Sequence, residues 1–405
     1  MPSDGKTGDS ESGGDAGRSG GAGAKEKAAN LRFLGILGAV AVVAIIAAAL
    51  FAGGGNGNGG GDTSPSGVAA PTTAADDHGA GPTGGDVHQE QVDVPAQTDM
   101  ATTPVRSQRT TRAESQMVDG VKVFKLTAEP VQWEIIPGKT VTAWGYNGQV
   151  PGPEFWLDEG DKVRVEFTNK LPAATTIHWH GVAVPNEMDG IPGVTQDAVE
   201  AGKSFTYEFT AKPSGSFWYH SHFDSARQLD MGLSGAMVIK GKDEPAYDKE
   251  FIQLVDEWIR LPDGRNGWEG VGHAGHNQAE YNWFTLNGKS FPATENMVVK
   301  EGDRALIRIM NAGYQAHPMH LHGKRFLVVA KDGARLASPY LADTVLVGSG
   351  ERYDVEFVAD DPGDWMFHCH ILHHVGNDTV EPGGLMTFVT YEGYKNAYQR
   401  KKAGG

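Results

Sequence analysis

Cysteine is nearly absent from this chain, which has a single one, Cys369, among its 405 residues. No disulfide can therefore form within the chain, and its folded part must be stabilised by packing or by metal. Positive charge is also scarce, because 35 Lys and Arg face 51 Asp and Glu and leave a net charge of -16. Such a surface repels phosphate, so we expect no nucleic-acid partner.

Large apolar side chains are scarce in the first hundred residues, apart from one run. Residues 1–32 predict a disordered cytoplasmic tail, and residues 53–116 predict a flexible linker. Between them, residues 33–52 carry no charge and are long enough to span a bilayer as a helix. Because Lys and Arg precede this run, we expect a single-pass membrane anchor with the rest of the chain outside the cytoplasm. If the run is instead a cleaved signal segment, the protein is secreted.

A different pattern begins near Met117, where apolar and polar residues alternate and few helical periods occur. This pattern predicts an all-β fold. The pattern also repeats, so we expect domain 1 at residues 117–245, domain 2 at 246–395 and a tail at 396–405. The repeat is clearest in two motifs: His178-Trp-His180-Gly181 recurs as His320-Leu-His322-Gly323, and Phe217-Trp-Tyr-His220-Ser-His222 recurs as Trp365-Met-Phe-His368-Cys369-His370.

The separation between equivalent residues is constant over part of the repeat. Glu159-Gly160-Asp161 recurs as Glu301-Gly302-Asp303, and Asn169 recurs as Asn311, each at the separation of His178 from His320. We call this separation the repeat offset. It identifies which residues of the two domains correspond.

Histidines are concentrated in these motifs, since 11 of the 15 lie in four short clusters. One cluster places Cys369 between His368 and His370. Successive side chains of a strand point to opposite faces, so the two histidines share one face and the thiol occupies the other. A thiolate flanked by imidazoles suits copper. Two copper sites on opposite faces would be joined by a few covalent bonds, an arrangement suited to moving single electrons.

The histidines divide into two ligand sets. The imidazoles of the His-x-His pairs are too many for one ion and fit three coppers; they are His178, His180, His220, His222, His320, His322, His368 and His370. His317, Cys369 and one of His373 or His374 remain for a fourth copper, with the two-histidine, one-thiolate set of a blue-copper site. Ser221 stands where Cys369 stands in the other repeat, so we expect this site in domain 2 alone.

Together with Asn147-Gly-Gln-Val-Pro-Gly-Pro and Asn311-Ala-Gly, the four clusters resemble the multicopper oxidases, or laccase family, in their two-domain type. The resemblance implies two cupredoxin-like Greek-key β-sandwich domains that hold copper ions of type 1, type 2 and binuclear type 3. The implied ligands are His317, Cys369 and His374 for type 1, His178 and His320 for type 2, and His180, His220 and His370 with His222, His322 and His368 for the two type 3 ions.

The resemblance also implies roles for three further residues. Asp189 matches an aspartate of the family near type 2 copper, which predicts a proton relay. Leu385 or Met386 would occupy the axial position of type 1 copper. Gly384-Leu385 matches Gly232-Leu233 of the first repeat, which favours Leu385. The two-domain type further implies a homotrimer, with the trinuclear cluster between domain 1 of one subunit and domain 2 of its neighbour.

The function implied is the oxidation of a phenol, an aromatic amine or a metal ion, one electron at a time, with dioxygen reduced to water. A copper nitrite reductase is an alternative, but there the thiolate site lies in domain 1 and the catalytic copper needs only three histidines. A surface copper-binding protein without turnover is another, although it gives no reason for Cys369 to sit between two ligands. The sequence leaves the substrate open.

Overall fold

A computed structural model describes residue 103 and residues 105–270 and 281–395. The expected cytoplasmic tail, the apolar run 33–52, most of the expected linker and the tail 396–405 lie outside these residues. No helix among the described residues is long and apolar enough to cross a membrane.

Strands dominate both repeats. In and before domain 1 they are β1 (Val105–Arg106), β2 (Ser115–Val118), β3 (Val121–Ile136), β4 (Lys139–Tyr146), β5 (Gly152–Asp158), β6 (Lys162–Asn169), β7 (His178–His180), β8 (Ser204–Thr210), β9 (Gly215–His220) and β10 (Ser234–Lys240). In domain 2 they are β11 (Lys249–Trp258), β12 (Trp283–Leu286), β13 (Met297–Val299), β14 (Arg304–Asn311), β15 (His317–Leu321), β16 (Phe326–Lys331), β17 (Ala334–Ala342), β18 (Thr344–Val347), β19 (Arg352–Val358), β20 (Asp364–Cys369) and β21 (Met386–Tyr391). The described helices are short: α1 (Ser225–Asp230), α2 (Gly267–Gly270) and two 3-10 turns (Asn186–Met188 and Leu372–Val375).

Each domain packs two sheets around its own core. Domain 1 combines a sheet of order β1-β3-β6-β8, in which β2 and β4 also pair with β3, with a sheet of order β5-β10-β9-β7. Domain 2 combines β12-β11-β14-β19-β16-β17 with β13-β21-β20-β15-β18. The inward side chains are apolar, among them Phe155 and Trp179 in domain 1 and Met319 and Phe367 in domain 2. The all-β prediction is confirmed.

The repeat extends to individual backbone hydrogen bonds. In domain 1 the Lys170 N–H donates to the Ala128 carbonyl over 2.8 Å. Ala312 stands one repeat offset after Lys170, and its N–H donates to the Val255 carbonyl over 2.9 Å. Ala128 and Val255 are therefore equivalent positions of β3 and β11. The expected domain boundary, between residues 245 and 246, falls in the connection between β10 and β11.

The end of the expected linker differs from the prediction of a flexible chain. β1 lies within residues 53–116 and pairs in parallel with Gln132 and Trp133 of β3. Further along, the Ala113 N–H donates to the Glu154 carbonyl over 2.8 Å. Composition did not indicate this pairing, because it depends on the unpaired backbone groups of a distant strand.

A buried arginine joins the two domains. The Arg308 side chain in β14 is 1% exposed and pairs with Glu244 and with Glu250, the latter at 2.6 Å. It also donates to Ser216 of domain 1 over 2.8 Å and to Asp354 over 3.2 Å. Because each carboxylate of this network is largely buried, the arginine neutralises charge that water would otherwise solvate.

Candidate metal centres

Two histidines and the cysteine converge inside domain 2. His317 begins β15, Cys369 ends β20, and His374 lies in the following 3-10 turn. The His317 Nδ1 and His374 Nδ1 atoms are 3.1 Å apart, and the Cys369 Sγ lies 3.7 Å and 3.5 Å from them. All three side chains are fully buried. Of the two histidines left open by the sequence, His374 lies in this set and His373 is exposed.

Strand pairing explains why this set forms. In the antiparallel pair of β15 and β20, Met319 lies opposite Cys369 and His320 lies opposite His368. Directly opposed residues point to the same face. Cys369 therefore faces the core with Met319, while His368 faces the other side with His320. The predicted alternation is present in the structure.

Burial shifts the pKa of Cys369 and of His374. It raises the pKa of the Cys369 thiol to about 12 and, with His317 nearby, lowers the pKa of His374 to about 3. His374 is thus neutral with a free lone pair, and the thiol loses its proton at neutral pH only where a cation takes the proton's place. The His374 Nε2 atom is buried and has no hydrogen-bond partner in the described structure. The donor set fits copper, which favours imidazole and thiolate together.

The histidines of domain 1 form a second set. Donor atoms of His178, His180 and His220 lie within 4.8 Å of one another, and the His222 ring centroid is 5.5 Å from that of His178. His178 donates from Nδ1 to the Asp189 carbonyl over 2.8 Å, which leaves Nε2 free. Burial is the main cause of a lowered pKa at His180 (to about 4), at His220 and at His222. Neutral imidazoles are the form that binds metal.

Domain 2 repeats this geometry with its own histidines. Donor atoms of His320, His322 and His368 lie within 4.8 Å of one another, and the His370 ring is 5.6 Å from that of His320. His320 donates from Nδ1 to the Asp343 carbonyl over 2.8 Å, as His178 does in domain 1. Histidines at corresponding positions of the two repeats thus make the same ring contacts in both domains.

One chain does not bring the two sets together. Across residues 105–270 and 281–395, ring contacts join histidines within each set and none joins a histidine of one set to the other. The domain 1 set lines a cavity of about 320 Å³, and Tyr314 and Gly350 of domain 2 also line it. In domain 2, His322 and His370 are exposed. Each set is therefore half of the eight-histidine group predicted from the sequence.

The thiolate position of domain 1 is filled by a hydrogen-bonded network. Thr175 stands one repeat offset before His317, and its Oγ1 lies 3.1 Å from the Ser221 Oγ. Both hydroxyls donate to the Gln228 Oε1, over 2.7 Å and 2.6 Å. All three side chains are buried. The sequence identified Ser221 but not Thr175 or Gln228, although the repeat offset could have identified Thr175.

The two axial candidates lie on different faces. Met386 lies opposite His368 in the pair of β20 and β21, so its side chain shares the His368 face. Leu385 belongs to the same buried cluster as Cys369, and its carbonyl accepts the Cys369 N–H over 3.0 Å. Asp189, the predicted relay, places its carboxylate 3.4 Å from the His178 Nδ1 and is partly exposed.

Comparison with known proteins agrees with this geometry. Two family models described as multicopper oxidase match residues 127–244 and 271–382. The solved Blue Copper Oxidase from Nitrosomonas europaea is 36% identical, with a TM-score of 0.63 over 67% of this chain and 86% of that chain. The chain belongs to the multicopper oxidase family. A second multicopper oxidase structure, mgLAC, is 40% identical, with a TM-score of 0.63 over 68% of this chain and 87% of that chain.

The relatives also include laccases. Laccase-1 of Botryotinia fuckeliana is 33% identical over 246 residues, which cover 56% of this chain and 42% of that protein. The chain thus spans about half the length of the curated relatives it matches. The family resemblance predicted from the four motifs is confirmed, and the histidine clusters are compatible with the copper sites of a multicopper oxidase.

Proposed function

We propose that this multicopper oxidase is laccase-like and couples one-electron oxidations of a reducing substrate to the reduction of dioxygen to water. The observation that carries the proposal is the arrangement along β20. Cys369 joins His317 and His374 on one face, and His368 joins His320 and His322 on the other. A path of covalent bonds through two adjacent residues therefore links the two ligand sets.

These sets support the following ligand assignment. His317, Cys369 and His374 would hold type 1 copper, with Leu385 on its axial side, and the two histidine sets would share the type 2 and type 3 ions. Bound there, copper would supply one-electron transfer at the first set and multi-electron reduction of dioxygen at the second. The chain itself keeps water from the thiolate set and fixes which imidazole nitrogens are free.

Asp189 is proposed as the proton carrier of the dioxygen site. Its carboxylate lies near His178 and is partly exposed, so it can exchange protons with water. Asp189→Asn removes that exchange but keeps the backbone carbonyl that accepts from His178. We expect slower turnover at unchanged copper content, and unchanged turnover would contradict the role.

A homotrimer is proposed to complete the dioxygen site. Its support is that each described histidine set is half of the group and that His322 and His370 are exposed in one chain. The test is to co-express a His220→Ala chain with a His368→Ala chain. Sites built between subunits regain partial activity in the mixed assembly, whereas sites built within one chain stay inactive. Light scattering then gives the number of subunits.

We also propose that residues 33–52 anchor the protein in the cell membrane with both domains outside the cytoplasm. The support is the uncharged length of this run and the Lys and Arg before it. Protease added to intact cells degrades the domains if they lie outside. A mature protein that begins after residue 52 would show that the run is cleaved and the protein secreted.

The activity test is an oxygen electrode measurement on copper-loaded protein with a phenol, an aromatic amine, and cuprous or ferrous ion as donors. We expect four donor electrons consumed per dioxygen and no peroxide released. Nitrite in place of dioxygen distinguishes the reductase alternative, which would form nitric oxide. Copper binding without consumption of any donor would leave only the copper-binding protein.

A further inference from the structure

A carboxylate lies behind one of the two thiolate-set histidines and not behind the other. The Glu257 Oε2 is 3.2 Å from the His317 Nε2, and both side chains are fully buried. By contrast, the His374 Nε2 has no partner in the described structure. A ligating histidine usually donates its other ring N–H to a carboxylate oxygen, so the geometry assigns the proton of His317 to Nε2. The His317 Nδ1 is then left bare, and this is the atom that faces Cys369 and His374.

The chain holds this carboxylate in place from several sides. Its other oxygen, Oε1, accepts the backbone N–H groups of Tyr314 over 2.5 Å and of Gln315 over 2.6 Å. A side-chain carbon added at Gly313 would overlap the Glu257 carboxylate. Gly313 is therefore needed for room at this position, and the loop from Gly313 to Gln315 surrounds Glu257 immediately before His317 begins its strand.

The repeat without a thiolate lacks this arrangement. Since Val255 is equivalent to Ala128, Glu257 is equivalent to Pro130. The repeat offset likewise places Leu171 at the position of Gly313. At these two positions, a carboxylate and a glycine occur in the domain that has Cys369, and neither occurs in the domain that has Ser221.

We propose that Glu257 is a positioning residue for the thiolate copper site: it fixes the ring orientation and tautomer of His317 so that Nδ1 is presented to the metal. The inference rests on the proposed type 1 assignment. Partners behind a ligating histidine raise its basicity and typically change metal affinity by about 10- to 100-fold when removed. A buried negative charge behind His317 also favours the more positive, oxidised state of the site, so it lowers the reduction potential.

Glu257→Gln is a sharp test because it keeps the shape of the side chain. The amide carbonyl of the new glutamine still accepts the N–H groups of Tyr314 and Gln315, so its NH2 group faces the His317 Nε2. That nitrogen must then accept, and the ring proton moves to Nδ1, where it opposes metal binding. Asp256→Asn is the matched control, since it removes the neighbouring buried acid of β11, which points to the other face of the strand.

Four measurements on the full chain decide the proposal. Nitrogen NMR of the metal-free wild type should show His317 protonated at Nε2, and Glu257→Gln should shift the proton to Nδ1. Copper competition should show about 10- to 100-fold weaker binding at the thiolate site in Glu257→Gln and no change in Asp256→Asn. A redox titration of the copper-loaded Glu257→Gln protein should give a higher midpoint potential than the wild type. Unfolding of the metal-free variants should give similar midpoints.

The proposal is overturned if Glu257→Gln binds copper with the affinity, spectrum and potential of the wild type. It is also overturned if the metal-free variant is less stable than the wild type while its copper affinity is unchanged. The tautomer measurement needs neither copper nor a variant. A wild-type His317 protonated at Nδ1 overturns the positioning role even if Glu257→Gln does not fold. If wild-type His317 is protonated at Nε2 but the copper-loaded wild type has no blue band, the type 1 assignment is contradicted instead. Failure of the positioning role and failure of the type 1 assignment are therefore distinguishable.

Discussion

Met386 lies directly opposite His368 in the antiparallel pair of β20 and β21. Its thioether therefore lies on the histidine face, away from Cys369. Leu385, one residue earlier, shares the buried cluster of Cys369. We therefore expect Leu385, and not Met386, on the axial side of the thiolate set, and a site whose axial residue is not a ligand has a raised reduction potential.

This relationship predicts a changed reduction potential for one of two neighbouring substitutions and an unchanged potential for the other. Leu385→Met introduces a thioether beside Cys369 and should lower the midpoint potential of the blue site in a redox titration. Met386→Leu should leave the blue band and its potential unchanged, because that side chain faces away. A shift in the second variant and none in the first would show that Met386 is the axial residue.

The arginine between the domains should be important for stability. Arg308→Met leaves the Asp354 carboxylate buried without its ion-pair partner and leaves Glu250 with Lys240 alone, which costs about 3–5 kcal/mol. Arg164→Met removes an exposed pair with Glu208 and should cost at most about 1 kcal/mol. Urea unfolding of both variants measures the difference, and equal losses would contradict the role of Arg308.

A buried aspartate in domain 1 predicts a pH dependence of stability. Burial, opposed by hydrogen bonds from Trp268 and Tyr281, raises the pKa of Asp230 to about 7. Between pH 4 and 7 the native state therefore keeps a proton that the unfolded chain has released, so the free energy of unfolding falls as pH rises.

Asp230→Asn removes that dependence. The stability of the metal-free wild type relative to this variant should fall by up to about 1.4 kcal/mol per pH unit across that range. Urea unfolding at several pH values measures the slope. Parallel curves for the two proteins would show that Asp230 ionises normally in the folded state.

The hydrogen-bonded network of domain 1 should affect folding but not metal content. Ser221→Ala leaves Gln228 and Thr175 with fewer partners in a buried site and should cost about 1–3 kcal/mol. Copper content and the blue band should not change. A loss of the blue band in this variant would contradict the assignment of a single thiolate site to domain 2.

The sequence predicted the parts of this architecture that depend on local spacing. The alternation of apolar and polar residues predicted the all-β fold, and the histidine motifs with the strand alternation around Cys369 predicted two sets of ligands. Glu257 was not predicted, because a lone glutamate in a strand carries no signal for a histidine 60 residues away. The separation of the two histidine sets within one chain was expected only from the family resemblance, which implies a cluster between subunits. Local spacing does not indicate it, because it depends on how the two domains pack around Arg308.

Copper content and the absorption spectrum, measured on the loaded protein and on Cys369→Ser, test the central claim most directly, with Ser221→Ala as the control. The account predicts about four coppers per chain and an intense blue thiolate band in the wild type and in Ser221→Ala. In Cys369→Ser the band should vanish, about one copper should be lost, and oxygen uptake with a phenol should stop. A blue band that survives in Cys369→Ser, or loosely bound copper with no band in the wild type, would contradict it.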